Sequence, residues 1–168
     1  MPQTIMFQGK PLTLIGDPVT IGMQAPGFKV VSQDLKEVKL SDFKGKIKVI
    51  SSFPSLDTPV CDLQVKEFNK HAASFAADVV VIGISKDLPF AIQRFCSENS
   101  IKNEVVLSDY KTTSFGMHYG LLIEELNLLG RSVQIIDKDD IIRYRQVVKE
   151  LTTPPDYEDV LKALKAIV

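Results

Sequence analysis

The chain has 168 residues, with 20 basic residues against 21 acidic, two cysteines and two histidines. At that length one domain spanning 1–168 is expected, with enough buried surface to fold without a disulfide or a metal. Balanced charge argues against a nucleic-acid or anionic-membrane binder, two cysteines are too few for a disulfide scaffold or a four-cysteine zinc site, and two imidazoles leave little room for histidine-rich metal chemistry.

The first residues, MPQTIMFQGKPLTL, show no basic leader followed by an apolar core, and no apolar run approaches the length of a membrane span. The expectation is a cytoplasmic protein of a reducing compartment, where a transient disulfide is catalytic rather than structural. Residues 1–45 read as β-rich. Thr4–Phe7 and Leu12–Ile15 flank Gln8-Gly9-Lys10-Pro11 as a hairpin, and Phe28–Val31 with Val38–Leu40 predict a second. This stretch is expected to be an N-terminal extension that is not independent of the rest. Lys36, Lys39, Lys44, Lys46 and Lys48 read as the solvated rim of the second hairpin.

A different rhythm follows. Ile47–Phe53 predicts a strand, and Pro59 to about Phe75 a helix with Cys61, Val65, Phe68, Ala72 and Phe75 along one face. Val79–Ile84 is β-branched enough for a strand buried on both sides. Pro89–Glu98 predicts a helix with Asp87 or Leu88 near its cap. Val105–Leu107 is a short strand, Thr112–Tyr119 a helical stretch, and Ser132–Ile136 and Ile141–Val148 are strands joined at Asp137-Lys138-Asp139-Asp140. Pro155 starts a last helix that buries Val160, Leu161, Leu164 and Ile167. This order implies an α/β protein with a central mixed β-sheet covered by helices on both faces. It is the order of a thioredoxin-like fold with insertions and an N-terminal β-hairpin extension.

The segment from Pro54 to Cys61 leaves a buried-type strand and enters a helix, where open α/β sheets place their sites. With Thr58 as N-cap, Pro59 occupies the first helical position and Cys61 the first turn, near unpaired backbone N–H groups and the positive end of the helix dipole. A free thiol of pKa near 8.5 is only about 3% ionised at pH 7, and the thiolate is the nucleophile, so such a position matters chemically. The Thr58 hydroxyl is expected to reach the sulfur, and Pro54 to wall off water. Against this stands the ordinary reading of a buried cysteine heading an apolar stripe. Cys96, beside Ile92 and Phe95, reads the same way on spacing alone.

Pro54, Thr58 and Cys61 match the Pro-x-x-x-Thr/Ser-x-x-Cys signature of peroxiredoxins, and FPSLDTPVC, Phe53 to Cys61, closely resembles the bacterial thiol peroxidase subfamily. The likeness extends to RFCSENSI around Cys96, to GRSVQIID and to the helical C-terminus. The resemblance implies that Cys61 attacks a hydroperoxide and becomes a sulfenic acid, and that Cys96 resolves it as an intrachain disulfide. It also implies that Arg131 stabilises the thiolate and orients the peroxide. A dithiol protein, usually thioredoxin, would reopen the disulfide; no bound cofactor or metal is expected, and a homodimer is.

The two cysteines are 35 residues apart on separate helices, so a disulfide requires movement that brings their Cα atoms within about 7 Å. Two conformations are therefore expected. Without the resemblance Arg131 reads as a strand-end arginine, with Arg94, Arg143 and Arg145 as competitors; Arg143 and Arg145 read as facing solvent together. His71 reads as solvated on a polar helical face with Gln64, Glu67 and Ser74, and His118 has no assigned role. A zinc site of Cys61, Cys96, His71 and His118 matches no zinc spacing. Two other functions compete: a protein disulfide oxidoreductase, which usually needs Cys-x-x-Cys, whereas Thr58 and Asp62–Gln64 supply no second thiol, and a non-enzymatic module with both cysteines buried.

Overall fold

β-Branched runs build the centre of the molecule, whose computed structural model describes residues 3–168. β1 (Gln3–Phe7) and β2 (Lys10–Ile15) pair antiparallel. Their turn is only Gln8-Gly9, with φ of 50° and 80°. Left-handed φ at both central positions gives the turn whose twist matches the flanking strands. The second strand therefore starts earlier than expected, and Pro11 lies within it.

β3 (Lys29–Val31) and β4 (Glu37–Lys39) form the second hairpin. β5 (Ile47–Ser52) leads to α1 (Pro59–Ala72), then β6 (Val79–Ser85), α2 (Pro89–Glu98) and β7 (Val105–Ser108). α3 (Ser114–His118) precedes two strands of two residues each, β8 (Leu122–Ile123) and β9 (Leu128–Leu129). β10 (Ser132–Ile136), β11 (Ile142–Val147) and α4 (Tyr157–Ile167) complete the chain.

Seven strands form the central sheet in the order β11-β10-β5-β6-β7-β3-β4, and β1-β2-β8-β9 form a second sheet. The pairs β5–β6 and β6–β7 are parallel and the remaining pairs antiparallel, so the mixed sheet is as expected. The second hairpin belongs to this central sheet; of the strands in residues 1–45, β1 and β2 lie in the second sheet.

Alternation along the strands separates two faces. Val49, Val81, Val133 and Ile135 pack on Phe68 of α1 and on Val160 and Leu164 of α4. Farther along the same face, Phe53 and Val106 pack on Val65 of α1 and Ile92 of α2. The opposite face, with Ile50, Ile82, Ile84 and Leu107, packs on the second sheet through Leu12, Leu14, Ile123 and Leu129 and on Phe115 of α3. A small sheet thus does much of the covering on that side.

Two expectations about polar side chains fail here. Lys48 is not on a solvated rim: it is fully buried and ion-paired to Asp140. β5 is covered on both faces, so a lysine within it must carry its counterion inside. Arg145 does not face solvent beside Arg143; it is half-buried and donates to the Tyr119 carbonyl at 3.5 Å.

Hydrogen bonds also tie β1 to the C-terminal half. Met6 N–H donates to the Lys149 carbonyl at 2.6 Å, and Leu151 N–H to the Met6 carbonyl at 2.8 Å. No helix among the described residues is long and apolar enough to cross a membrane.

Candidate active site

β5 ends at Ser52 and the chain turns through Phe53 and Pro54, both buried, before α1 begins. Thr58 has extended backbone, φ −101° and ψ 145°, and its hydroxyl oxygen accepts from the Cys61 N–H at 3.3 Å. Pro59 follows, at a position whose N–H has no helical partner to lose. The Thr58 hydroxyl donates to the Ser55 carbonyl at 3.1 Å. It therefore caps the helix and closes the turn; the expected bond from this hydroxyl to the sulfur is not made.

Of Asp87 and Leu88, the two residues expected near the cap of α2, Asp87 clamps this loop from the next strand end. Its carboxylate accepts from Ser55 Oγ at 2.8 Å, from Leu56 N–H at 2.9 Å and from Ser85 Oγ at 2.6 Å. Leu88 is the N-cap of α2 and has no side-chain cap.

Cys61 is fully buried, and Arg131, 2% exposed, donates from Nη1 to its Sγ at 3.3 Å. The same nitrogen donates to Gln64 Oε1 at 2.9 Å. Nε and Nη2 both donate to the Leu151 carbonyl, at 3.1 and 2.7 Å. Gln64 is in turn held by its amide, which donates to Ser51 Oγ and, at 3.1 Å, to the Ser52 carbonyl. The oxygen contacts to the guanidinium are all neutral, and among the described residues no carboxylate pairs with Arg131. A buried cation without a carboxylate attracts whatever anion the site can supply, and Cys61 is in position to supply it.

Gln64 is the residue that sequence reasoning missed. It was placed on a polar face with His71, yet it is fully buried, one turn after Cys61 and next to Val65. The i, i+3 spacing from Cys61 was the available signal. Among the competing arginines, Arg94 is exposed and Arg143 pairs with Asp137 at 2.6 Å. His71 pairs with Glu67 at 3.5 Å, and His118 Nδ1 lies 2.8 Å from the Gly27 carbonyl. No group of three or more metal-ligating side chains gathers among the described residues.

Cys96 lies on the last turns of α2, 6% exposed and in one apolar cluster with Phe53, Leu56, Cys61, Val65, Ile92, Ile101 and Val106. Both thiols are free. Burial, with a further push from the Glu104 carboxyl, raises the Cys96 thiol to about 11, partly offset by a hydrogen bond from Gln33. The structure thus joins Thr58, Cys61 and Arg131 directly, buries Pro54 in the same loop and sets Cys96 in the adjoining layer.

A family model described as Redoxin matches residues 20–161. A thiol peroxidase of Bacillus subtilis (strain 168) is 46% identical over 164 residues, covering 98% of this chain and 98% of the relative. One from Staphylococcus haemolyticus is 46% identical over 163 residues, 97% of this chain and 98% of the relative. Among solved structures, a peroxiredoxin-like protein from Aquifex aeolicus superposes with a TM-score of 0.92 at 39% identity, over 98% of this chain and 97% of that one. A thiol peroxidase from Chromobacterium violaceum, 22% identical, shares the fold with a TM-score of 0.88 over 99% and 98% of the two chains.

Proposed function

Because the chain belongs to the redoxin family, among the peroxiredoxin-type thiol peroxidases, we propose that Cys61 is its peroxide-reducing nucleophile and Cys96 its resolving thiol. The observation that carries the reading is the Arg131 guanidinium, buried without a carboxylate and 3.3 Å from Cys61 Sγ. The Cys61 thiolate attacks one peroxide oxygen, the O–O bond breaks, and the other oxygen leaves as water or an alcohol after taking a proton. Cys61 becomes a sulfenic acid. Arg131 offers a planar donor fork to the developing oxygen charge, fixed beforehand by the Leu151 carbonyl and Gln64. Thr58 holds the turn that presents the sulfur, and Pro54 closes one side of it.

Cys96 then attacks the sulfenic sulfur. A disulfide forms, and the hydroxyl leaves with the thiol hydrogen as water. A dithiol protein of the thioredoxin type reopens the disulfide by thiol–disulfide exchange. In this reading the protein works in the cytoplasm as a homodimer of single-domain chains, in antioxidant defence and redox homeostasis.

Mixing reduced protein with one equivalent of hydroperoxide, followed by mass measurement, tests the assignment. Wild type is expected to lose two hydrogens, Cys96→Ser to stop at one added oxygen on Cys61, and Cys61→Ser to remain unchanged. Slow, unselective oxidation of all three overturns it.

A further inference from the structure

Glu104 ends the connection between α2 and β7, and it is 5% exposed. Both of its carboxyl oxygens are buried, and neither has a hydrogen-bond partner among the described residues. The side chain lies across Gly83 of β6: a Cβ on that glycine would stand 2.8 Å from Glu104 Oε1 and 3.4 Å from the Phe53 ring. Val79 and Val81 precede Gly83 on the same face, so a valine-type strand gives up one side chain where the carboxyl sits. Phe53 and Val106 belong to the apolar cluster that houses both thiols. An orphaned carboxyl is thus set in the layer between α1, α2 and the sheet.

The charged and titratable neighbours do not rescue it. No ion pair among the described residues includes Glu104. α2 presents Cys96, whose thiol Glu104 helps to raise. α4 presents Tyr157, whose buried hydroxyl is also without a partner and is pushed up to about 12, by burial first. Tyr157 in turn senses Glu67 and Cys61 of α1 as well as Arg131. Burial alone holds the Glu104 carboxyl well above the usual carboxylate range, which favours its neutral form in the closed layer. An apolar residue of similar size would make that layer more stable, and an unsatisfied group of this kind is a reservoir of strain that opening relieves.

We propose that Glu104 is a positioning residue of the resolving step: its orphaned carboxyl keeps the α2–β7 layer poised to open, and the opening releases Cys96 toward the oxidised Cys61. This rests on the assignment of Cys61 and Cys96 made above. Opening hydrates the carboxyl, which then gives its proton to solvent; closing takes a proton back. The disulfide step remains Cys96–SH plus Cys61–SOH giving the disulfide and water. The sign is fixed by the raised carboxyl. Its preference for the closed layer is complete below the ordinary carboxylate range and is lost as pH rises toward its closed-state value, so opening becomes easier with rising pH.

The test is peptide-resolved hydrogen exchange over residues 89–104 of the reduced full chain, corrected for intrinsic exchange, from pH 5 to 8. It is run in Cys96→Ser so that no thiol titrates at that position. The opening constant is expected to rise with pH while Glu104 is present. It should be flat in the isosteric Glu104→Gln and lower at every pH in Glu104→Leu. With Cys96 restored, Glu104→Leu should add oxygen to Cys61 at the wild-type rate but form the disulfide about tenfold more slowly. A pH dependence that survives Glu104→Gln, or a wild-type disulfide rate in Glu104→Leu, overturns the proposal while the peroxidase reading stands. Absence of oxygen uptake at Cys61 in every variant overturns that reading, and this proposal with it.

Discussion

Cys61 and Cys96 are alike in burial and in residue type, and they share one apolar cluster, yet their surroundings have opposite electrical character. Cys61 stands in a capped first turn, with a guanidinium on its sulfur and a glutamine fixing that guanidinium. Cys96 stands near a helix end with no cation acting on it among the described residues, beside a buried carboxyl that pushes its thiol further up. The comparison teaches that burial by itself assigns no role to a cysteine; the charge placed against it does. Under the proposed function, the thiol that reacts first has a cation against it, and the one that resolves has an apolar layer and an acid.

The largest expected effect on this contrast comes from removing the cation. Arg131→Met should lower the rate of peroxide consumption by about 10²–10³-fold, the size expected for one preorganised donor to a developing oxyanion, measured by single-turnover mixing. A loss of less than threefold would mean that the guanidinium is structural. Next in size is the reactivity of the two thiols compared in isolation. At pH 7, Cys96 in Cys61→Ser should alkylate at least about 100-fold more slowly than Cys61 in Cys96→Ser, because a thiol raised to about 11 is almost wholly protonated there. The Cys96 rate should keep climbing as pH rises toward that value, and equal rates at neutral pH would erase the contrast. The smallest effect concerns the turn. Thr58→Ala should cost about 1 kcal/mol of stability through the lost cap, with Thr58→Ser recovering most of it, read from denaturant midpoints.

The order of elements was legible because β5, β6 and α1 carry unambiguous apolar patterns and because Pro59 and Pro89 mark helix starts. β8 and β9 were not legible. Two-residue strands have no alternation to read; β8 is held by pairing with β2, and β9 by pairing with β8. In the site, Thr58 and Cys61 could be placed from local spacing, whereas Arg131 was supported only through resemblance, since nothing local says that its side chain crosses to α1. Gln64, Lys48 and Glu104 share one reason for being missed. Each is a polar residue whose partner, or lack of one, is decided by a distant strand or loop, and average preferences send such residues to the surface. The helix start at Asp87 or Leu88 was legible, with Leu88 the N-cap; that the Asp87 carboxylate reaches Ser55 and Leu56 was not, because those partners lie on a distant loop.

The short bridge at Met6 reaches further than its two hydrogen bonds suggest. Met6 grips Lys149 and Leu151, and Leu151 offers the carbonyl that takes two donors of Arg131. The first strand of the chain is therefore a splint for the arginine, one backbone away from the sulfur. A tag, trim or proline introduced at the amino end would slacken the aim of the guanidinium while leaving every side chain of the site in the sequence.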